Sequence, residues 1–210
     1  MNFSSFTNYL PKKPSVVVTT NKPSFLQDNN KPVTFDDFFK IVIVLDESGS
    51  MMCIRDQIIK SINDLIMEQK QTKGKPTTLT LVKFNDNVNR VITNKLLTNV
   101  DNLSYADYNP SGSTALYDAI GDTINWFRNE KDVLMVIVTD GQENASKRYT
   151  RTQINQMIDE KKEKNAWTYV YLSSDLNTQM QGNNIGLQQS QYTSNCCVRQ
   201  DNYGKFIEVH

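Results

Sequence analysis

Two uninterrupted apolar runs limit most strongly what this chain can fold into. Residues 41–45 are five branched apolar residues in a row, and residues 133–138 are six apolar residues in a row. Runs without polar alternation are typical of strands buried on both faces, as in a parallel sheet covered by helices. Each run leads into an aspartate, Asp46 at once and Asp140 after one threonine. The sequence therefore predicts two central strands with carboxylates at their carboxyl ends.

Strands alternate with amphipathic helices from residue 37 onward, an order typical of a doubly wound α/β sheet. Helical spacing of apolar residues predicts one helix over residues 52–71 and another that begins just after Thr114. Residues 79–84 and 89–92 flank a turn-forming Asn-Asp-Asn stretch and predict a hairpin. The predicted fold is a doubly wound, mostly parallel sheet with one antiparallel edge strand and helices on both faces.

The two ends of the chain lack this pattern. Residues 1–36 contain four prolines and no helical periodicity, which predicts an extended amino-terminal arm. Residues 16–20 have strong β propensity and suit the edge of a sheet, the chain's own or a partner's, and a partly disordered leader is an equal alternative. Residues 37–192 are the predicted domain, and residues 193–210 a carboxyl-terminal extension.

The charge balance and the apolar runs exclude several classes of partner. Lysine plus arginine and aspartate plus glutamate number 23 each, so no cationic footprint marks a nucleic-acid or anionic-membrane partner. The apolar runs are far shorter than the roughly 20 residues of a spanning helix, and the polar residues 1–10 have no signal-peptide core. Three cysteines are too few for a disulfide framework. We therefore expect a reduced, cytoplasmic protein.

Oxygen-bearing side chains collect where the two apolar strands end. Asp46, Ser48 and Ser50 alternate directly after the first strand, and Asp140 follows the second. In a parallel sheet the carboxyl ends of the strands and the amino ends of the following helices share one edge, so Thr114 can join them. Oxygen ligands without imidazole or thiolate suit Mg²⁺, Ca²⁺ or Mn²⁺, and the only histidine is the last residue. The sequence predicts a hard-cation site at this edge.

At this point the sequence resembles the von Willebrand factor type A domain with its metal-ion-dependent adhesion site (MIDAS). The family's signature is Asp-x-Ser-x-Ser, a distant Thr and a distant Asp. Residues 46–50 (Asp-Glu-Ser-Gly-Ser), 112–120 and 138–144 match the three parts in family order, and the resemblance spans residues 37–192. It is closest in kind to the compact cytoplasmic members found in bacteria and phages.

The resemblance implies a ligand set and a partner. Ser48, Ser50 and Thr114 would supply hydroxyl oxygens to Mg²⁺ (or Mn²⁺ or Ca²⁺), and Asp46 and Asp140 would supply carboxylates, directly or through water. The ion would then accept an Asp or Glu of a protein partner as its last ligand. The residues expected on the rim that faces the partner are Glu47, Tyr105, Tyr108, Ser113, Tyr117 and Gln142.

The expected roles of three acidic residues depend on where their side chains point. Glu47 either tightens the ion or repels an acidic partner, or else it turns away and pairs with a surface lysine. Asp118 and Asp122 stand four residues apart on a predicted helix and are expected to be solvated.

Other functions are weaker readings of the same residues. A haloacid-dehalogenase-type phosphotransferase needs a second acidic residue two positions after its nucleophile, where Ser48 stands here. Phosphate-binding, dinucleotide-binding and nucleophile-elbow motifs are absent, so we expect a non-enzymatic protein. A metal-dependent phosphohydrolase is the remaining enzymatic alternative. The main alternative is a structural assembly component, for instance of a virus or phage particle, in which the terminal arms pair with neighbours.

Overall fold

The computed structural model describes residues 38–71, 75–173, 182, 185–187, 198–200 and 206–208. Its main element is a five-stranded sheet of order β3-β2-β1-β4-β5. All neighbouring strands are parallel except β2 and β3, which pair antiparallel at one edge. The prediction of a mostly parallel sheet with one antiparallel edge strand is confirmed. The strands are β1 (Phe39–Asp46), β2 (Thr77–Phe84), β3 (Val88–Leu96), β4 (Val133–Val138) and β5 (Thr168–Leu172).

Helices cover both faces of the sheet, as predicted. They are α1 (Arg55–Gln71), α2 (Leu116–Trp126) and α3 (Arg151–Asn165). Alternate residues of β1 point to opposite sides: Ile41 and Ile43 pack in the core under α1, while Val42 packs in the core under α2 and α3. This explains the unbroken apolar run, because a strand covered on both faces has no solvent-facing position.

The first helix begins differently from the prediction of a single helix over residues 52–71. A 3-10 helix, Gly49–Ile54, precedes α1. Ser48 is extended, and the amide of Met51 then donates to the carbonyl of Ser48 over 3.1 Å, the short-range bond of a 3-10 turn. The tight turn lets the fully buried Met51 enter the core directly after the strand-end loop.

The topology brings three loops to one edge of the sheet. β1 lies at the centre, and the parallel strands β2 and β4 flank it, so their carboxyl ends lie beside its own. The chain passes from β1 to β2 on one side of β1 and later returns to β4 on the other side. This reversal makes the edge a topological switch point, the usual place for a ligand. The β2–β3 turn at the same edge is closed by the side chain of Asn85, which accepts from the amide of Asn87 over 3.0 Å.

The remaining described elements lie near the carboxyl end of the chain. β6 (Val198–Gln200) and β7 (Phe206–Glu208) form a separate antiparallel pair. The predicted amino-terminal arm, residues 1–36, lies outside the described residues, and so does most of the predicted extension, residues 193–210. Within the described part of the chain no helix has the length and apolar character needed to cross a membrane.

Candidate metal centre

The last residue of β1, Asp46, is completely buried and held at three points. Its Oδ1 accepts from the amide of Ser48 over 2.7 Å, and its Oδ2 accepts from Oγ1 of Thr139 over 2.5 Å. Its carbonyl accepts from the hydroxyl of Tyr108 over 2.6 Å. The carboxylate therefore has a single orientation, aimed across the edge of the sheet toward the end of β4.

Burial decides the electrostatics of this carboxylate. It raises the pKa of Asp46 to about 6, although the hydrogen bonds from Thr139 and Ser48 lower that pKa, and the nearby Asp140 raises it further. A raised pKa means that the charged form is costly in this environment. A bound cation would offset that cost, because it favours the ionised carboxylate.

Three oxygens from two separate segments, the loop after β1 and the loop before α2, face the space beside Gly141. A Cβ placed on Gly141 would lie 2.7 Å from Oγ1 of Thr114, 3.3 Å from Oδ2 of Asp46 and 3.4 Å from Oγ of Ser48. A glycine at this position keeps that space free, whereas any side chain would occupy it. The three oxygens thus converge although Thr114 is far from Asp46 and Ser48 in sequence.

Ser50 and Asp140 extend the same cluster toward solvent. The hydroxyls of Ser48 and Ser50 lie 3.2 Å apart, and Oγ of Ser50 donates to Oδ1 of Asp140 over 2.9 Å. Ser50 is exposed and Asp140 half-buried, whereas Ser48 and Thr114 are buried. The five predicted ligand residues are brought together, with a buried side and an open side: Asp46, Ser48, Ser50, Thr114 and Asp140.

The donor set fits one class of ion. Among the described residues no group of three His, Cys, Asp or Glu side chains is arranged to hold a metal, so a cation here would depend on hydroxyl oxygens. Two carboxylates and three hydroxyls are hard oxygen donors with little total charge. Such sites suit Mg²⁺, which keeps several waters and takes few protein carboxylates.

The loop that carries Thr114 is fixed by backbone contacts to its neighbours. Gly112 has a φ of +77° and accepts at its carbonyl from the amide of Gly49 over 3.0 Å. The amide of Ala115 donates to the carbonyl of Asn85 over 2.9 Å. The positive φ favours glycine, and a Cβ on Gly112 would lie 2.2 Å from Oδ2 of Asp86 and so would displace that carboxylate.

Glu47 turns away from the cluster and pairs with a lysine. Its Oε1 accepts from Nζ of Lys83 and from the amide of Asn109, both over 2.8 Å. The side chains of Glu47 and Lys83 are only 13% and 15% exposed, so the charge pair is largely removed from solvent. Of the alternatives for Glu47, the structure places the residue in the lysine pair.

The other predicted rim residues divide by exposure. The expectation that Tyr108 faces a partner is wrong, because the residue is buried and its hydroxyl is bound to the backbone of Asp46. Tyr105 is 54% exposed, with the guanidinium of Arg55 5.0 Å from its ring centroid. Tyr117 is half-buried. Two further predicted rim residues are exposed, Ser113 and Gln142.

Sequence reasoning missed three side chains that support the cluster. The hydroxyl of Thr139 donates to Asp46. The sequence could have indicated this role, because Thr139 stands between a buried strand and Asp140. Asp118 was expected to be solvated, which is wrong: it is 5% exposed and accepts from backbone amides of the loop after β4. Glu143 accepts from the amide of Tyr117 over 3.0 Å.

The chain belongs to the von Willebrand factor type A domain family, whose model matches residues 40–205. Its architecture is similar to that of the manganese-loaded TRAP protein of Plasmodium vivax, with a TM-score of 0.53 and 16% identity over 75% of this chain and 68% of that one. At such identity the likeness shows a shared fold. No curated protein sequence matches the chain.

This chain spans less than half the length of two other solved structures to which it is similar. One is proximal thread matrix protein 1 from the mussel byssus with a zinc-occupied MIDAS motif, with a TM-score of 0.52 and 18% identity over 75% of this chain and 41% of that one. The other is the ArnB paralog VWA2 from Sulfolobus acidocaldarius, with a TM-score of 0.46 and 17% identity. This chain covers 34% of the length of VWA2.

Proposed function

We propose that this chain is a divalent-cation-dependent protein-interaction module. Its ion is held by Asp46, Ser48, Ser50, Thr114 and Asp140, and its partner supplies an Asp or Glu side chain. The observation that carries the proposal is the convergence of Asp46, Ser48 and Thr114 oxygens on the space beside Gly141. Thr114 is far from Asp46 and Ser48 in sequence, so a local turn does not account for the convergence, whereas a shared set of oxygen ligands for a hard cation does.

Charge explains why a partner's carboxylate is the preferred group. The cluster contains only two acidic side chains, so a bound divalent cation is not over-neutralised and keeps Lewis acidity for an incoming anion. Ser50 and Asp140 are the solvent-facing members, and a partner's carboxylate would approach from their side. Glu47 does not oppose this approach, since its charge is paired with Lys83.

The identity of the ion is also a proposal. We propose Mg²⁺, with Mn²⁺ or Ca²⁺ as alternatives, because all candidate ligands are hard oxygens. The manganese-loaded TRAP protein and the zinc-occupied MIDAS of the mussel protein support a divalent ion in this family. The balanced charge of 23 basic and 23 acidic residues supports a protein partner rather than a nucleic acid or an anionic membrane.

Calorimetric titration with Mg²⁺ tests the ion site. We expect heat of binding for the wild type and none for Asp46→Asn, which keeps the shape of the side chain and removes its charge. The control is Asp101→Asn, because that carboxylate is 92% exposed and forms a surface ion pair with Lys95. Equal affinity of the wild type and Asp46→Asn would overturn the assignment of the metal.

Affinity capture tests the interaction. The wild-type chain is used as bait with Mg²⁺, with chelator, and beside Asp46→Asn. We expect one set of retained proteins that is lost in both the chelator and the variant arms, and retention independent of metal would contradict the proposal. We also propose that the chain is not an enzyme: generic phosphate esters should not be hydrolysed with Mg²⁺ or Mn²⁺.

The assembly alternative makes a different prediction for the ends of the chain. If residues 1–36 join neighbouring subunits of a particle, deletion of this segment abolishes assembly and leaves Mg²⁺ binding intact. If the chain acts as a metal-dependent interaction module, chelator abolishes the association with its partner and deletion of residues 1–36 does not. The expectation of a compact bacterial or phage-type protein, cytoplasmic or virion-associated, stays a prediction that identification of the partner would test.

A further inference from the structure

Helix α2, which follows Thr114, has no cap of its own. Its N-cap residue is Ala115, which has no side-chain oxygen to accept from the first-turn amides. Those amides are instead bound from outside the helix: Tyr117 donates to Oε2 of Glu143 over 3.0 Å, and Asp118 donates to Oγ of Ser146 over 3.0 Å. Free amides of a first turn need such partners, and a carboxylate there is also favoured by the helix dipole.

The same acidic residue organises the loop that follows Asp140. Oε1 of Glu143 accepts from the amides of Ala145 and Ser146 over 3.0 and 2.7 Å. Its Oε2 accepts from Oγ of Ser146 over 2.7 Å as well as from Tyr117. Both oxygens of Glu143 are thus used, one for its own loop and one shared with α2.

Asp118 makes the reciprocal connection from the helix to the loop. Its Oδ1 accepts from the amides of Arg148 and Tyr149 over 2.9 and 3.1 Å. Its Oδ2 accepts from the amide of Lys147 over 3.0 Å and from Nε of Arg148 over 3.3 Å. The side chain of Asp118 is 7% exposed, so little water competes for these bonds.

The loop also holds the backbone of Thr114 itself. The amide of Thr114 donates to Oδ1 of Asn144 over 2.9 Å. Its carbonyl accepts from the amides of Asn144 and Ala145 over 3.1 and 3.2 Å. The loop that begins at Asp140 therefore fixes both polar groups of the Thr114 backbone.

We propose that Glu143 and Asp118 are positioning residues that set the separation of Thr114 and Asp140 in the cation site. They form a carboxylate clasp, defined as these two side chains with Ser146, that joins the amino end of α2 to the loop after β4. The proposal rests on the proposed function, since it assigns a role at that same site.

The test compares the Mg²⁺ affinity of Glu143→Gln and Asp118→Asn with that of the wild type. Each carboxylate accepts hydrogen bonds at both of its oxygens. An amide has only one acceptor oxygen, so in each variant the NH₂ group is placed against a backbone or side-chain donor and a hydrogen bond is lost. We expect affinity to fall about 10- to 100-fold, the usual effect of losing a side chain that orients metal ligands. Zero loss of affinity in both folded variants would overturn the proposal.

A matched control separates positioning from general destabilisation. Ile41→Val removes one buried methylene near the start of β1, at the opposite end of the sheet. It should lower thermal stability, and its Mg²⁺ affinity should equal that of the wild type. If Ile41→Val weakens Mg²⁺ binding as much as the clasp variants do, the effect is loss of fold and the proposal fails.

Hydrogen exchange without metal gives an independent readout. The amides of Ala145, Lys147, Arg148 and Tyr149 should be protected in the wild type and exchange faster in both clasp variants, with the β1 and β4 amides unchanged. If Asp118→Asn does not fold, Ser146→Ala gives the same comparison. A wild type that does not bind Mg²⁺ would defeat the proposed function, whereas binding that is equal in wild type and variants defeats only the clasp.

Discussion

Ser50 donates a hydrogen bond to Oδ1 of Asp140 over 2.9 Å across a sequence separation of 90 residues. This bond joins the loop after β1 to the loop after β4 on the solvent-facing side of the candidate site. Both partners are candidate ligands, and donation of the hydroxyl proton leaves the lone pairs of the Ser50 oxygen available to a cation. The carboxylate oxygens of Asp46 are fixed separately, by Thr139 and Ser48.

Gly141→Ala should abolish Mg²⁺ binding without unfolding the chain. The added Cβ would lie 2.7 Å from Oγ1 of Thr114, inside the space that the ligand oxygens face. Calorimetric titration measures the loss. Gly49→Ala is the matched control, because its Cβ would meet the carbonyl oxygen and the nitrogen of Gly112 at 3.5 and 4.0 Å, which are ordinary contact distances. Binding by Gly141→Ala at wild-type affinity would place the ion elsewhere.

Gly112→Ala should lower the free energy of unfolding by about 1–3 kcal/mol, the usual cost of a strained backbone position. The residue has a φ of +77°, and its Cβ would lie 2.2 Å from Oδ2 of Asp86. Urea denaturation measures the change. Asp86→Ala is the reference background, because it removes both the clash and the hydrogen bond from the amide of Ser113 to Oδ2 of Asp86. In that background Gly112→Ala should cost less than in the wild type, since only the backbone strain remains, and zero cost there would show that the conformation itself carries none.

The stability that Asp118 provides should depend on pH. Burial raises the pKa of Asp118, but hydrogen bonds from the amides of Lys147, Arg148 and Tyr149 outweigh burial and lower it overall. A lowered pKa stabilises the fold above the unfolded value of about 3.9, and that stability is lost as the pH falls through the folded pKa. Urea denaturation should show a stability difference between Asp118→Asn and wild type at pH 7 that shrinks as the pH is lowered below the unfolded value. A difference that does not change with pH would contradict this.

Breaking the Glu47–Lys83 pair from one side should be worse than removing it. Lys83→Met leaves the largely buried carboxylate of Glu47 without its cation, so we expect a loss of about 1–3 kcal/mol in the free energy of unfolding. Glu47→Gln combined with Lys83→Met should recover part of it, because no uncompensated charge remains. A double-mutant cycle with urea denaturation measures the coupling free energy between the two residues. Strictly additive changes in the free energy of unfolding would show that the two charges do not stabilise each other.

The sequence predicts the sheet better than it predicts the supports of the site. Unbroken apolar runs, such as residues 41–45, indicate strands covered on both faces, because every side chain of such a strand is buried. Parallel strand order then places Asp46 and Asp140 at one edge. Helical periodicity, in contrast, shows that Asp118 does not belong to an apolar stripe, and it cannot show that a later loop folds over that residue.

Similar limits apply to the tyrosines of the predicted rim. Tyr105 and Tyr108 stand three residues apart in one polar loop, and nothing in composition separates them. The structure does so through a single hydroxyl contact, since Tyr108 reaches the carbonyl of Asp46 and Tyr105 stays at the surface. Long-range partners of this kind depend on the path of the loop, which local pattern does not encode.

The borrowed cap of α2 has a consequence for the order in which the chain matures during synthesis. The acceptors of its first-turn amides at Tyr117 and Asp118 are Glu143 and Ser146, which the ribosome adds more than twenty residues later. A nascent chain that ends before Glu143 holds Thr114 beside an open helix end that water must satisfy. The cap of α2 therefore forms only after Glu143 and Ser146 have been added, when Thr114 and the strands β1, β2 and β4 are already part of the nascent chain.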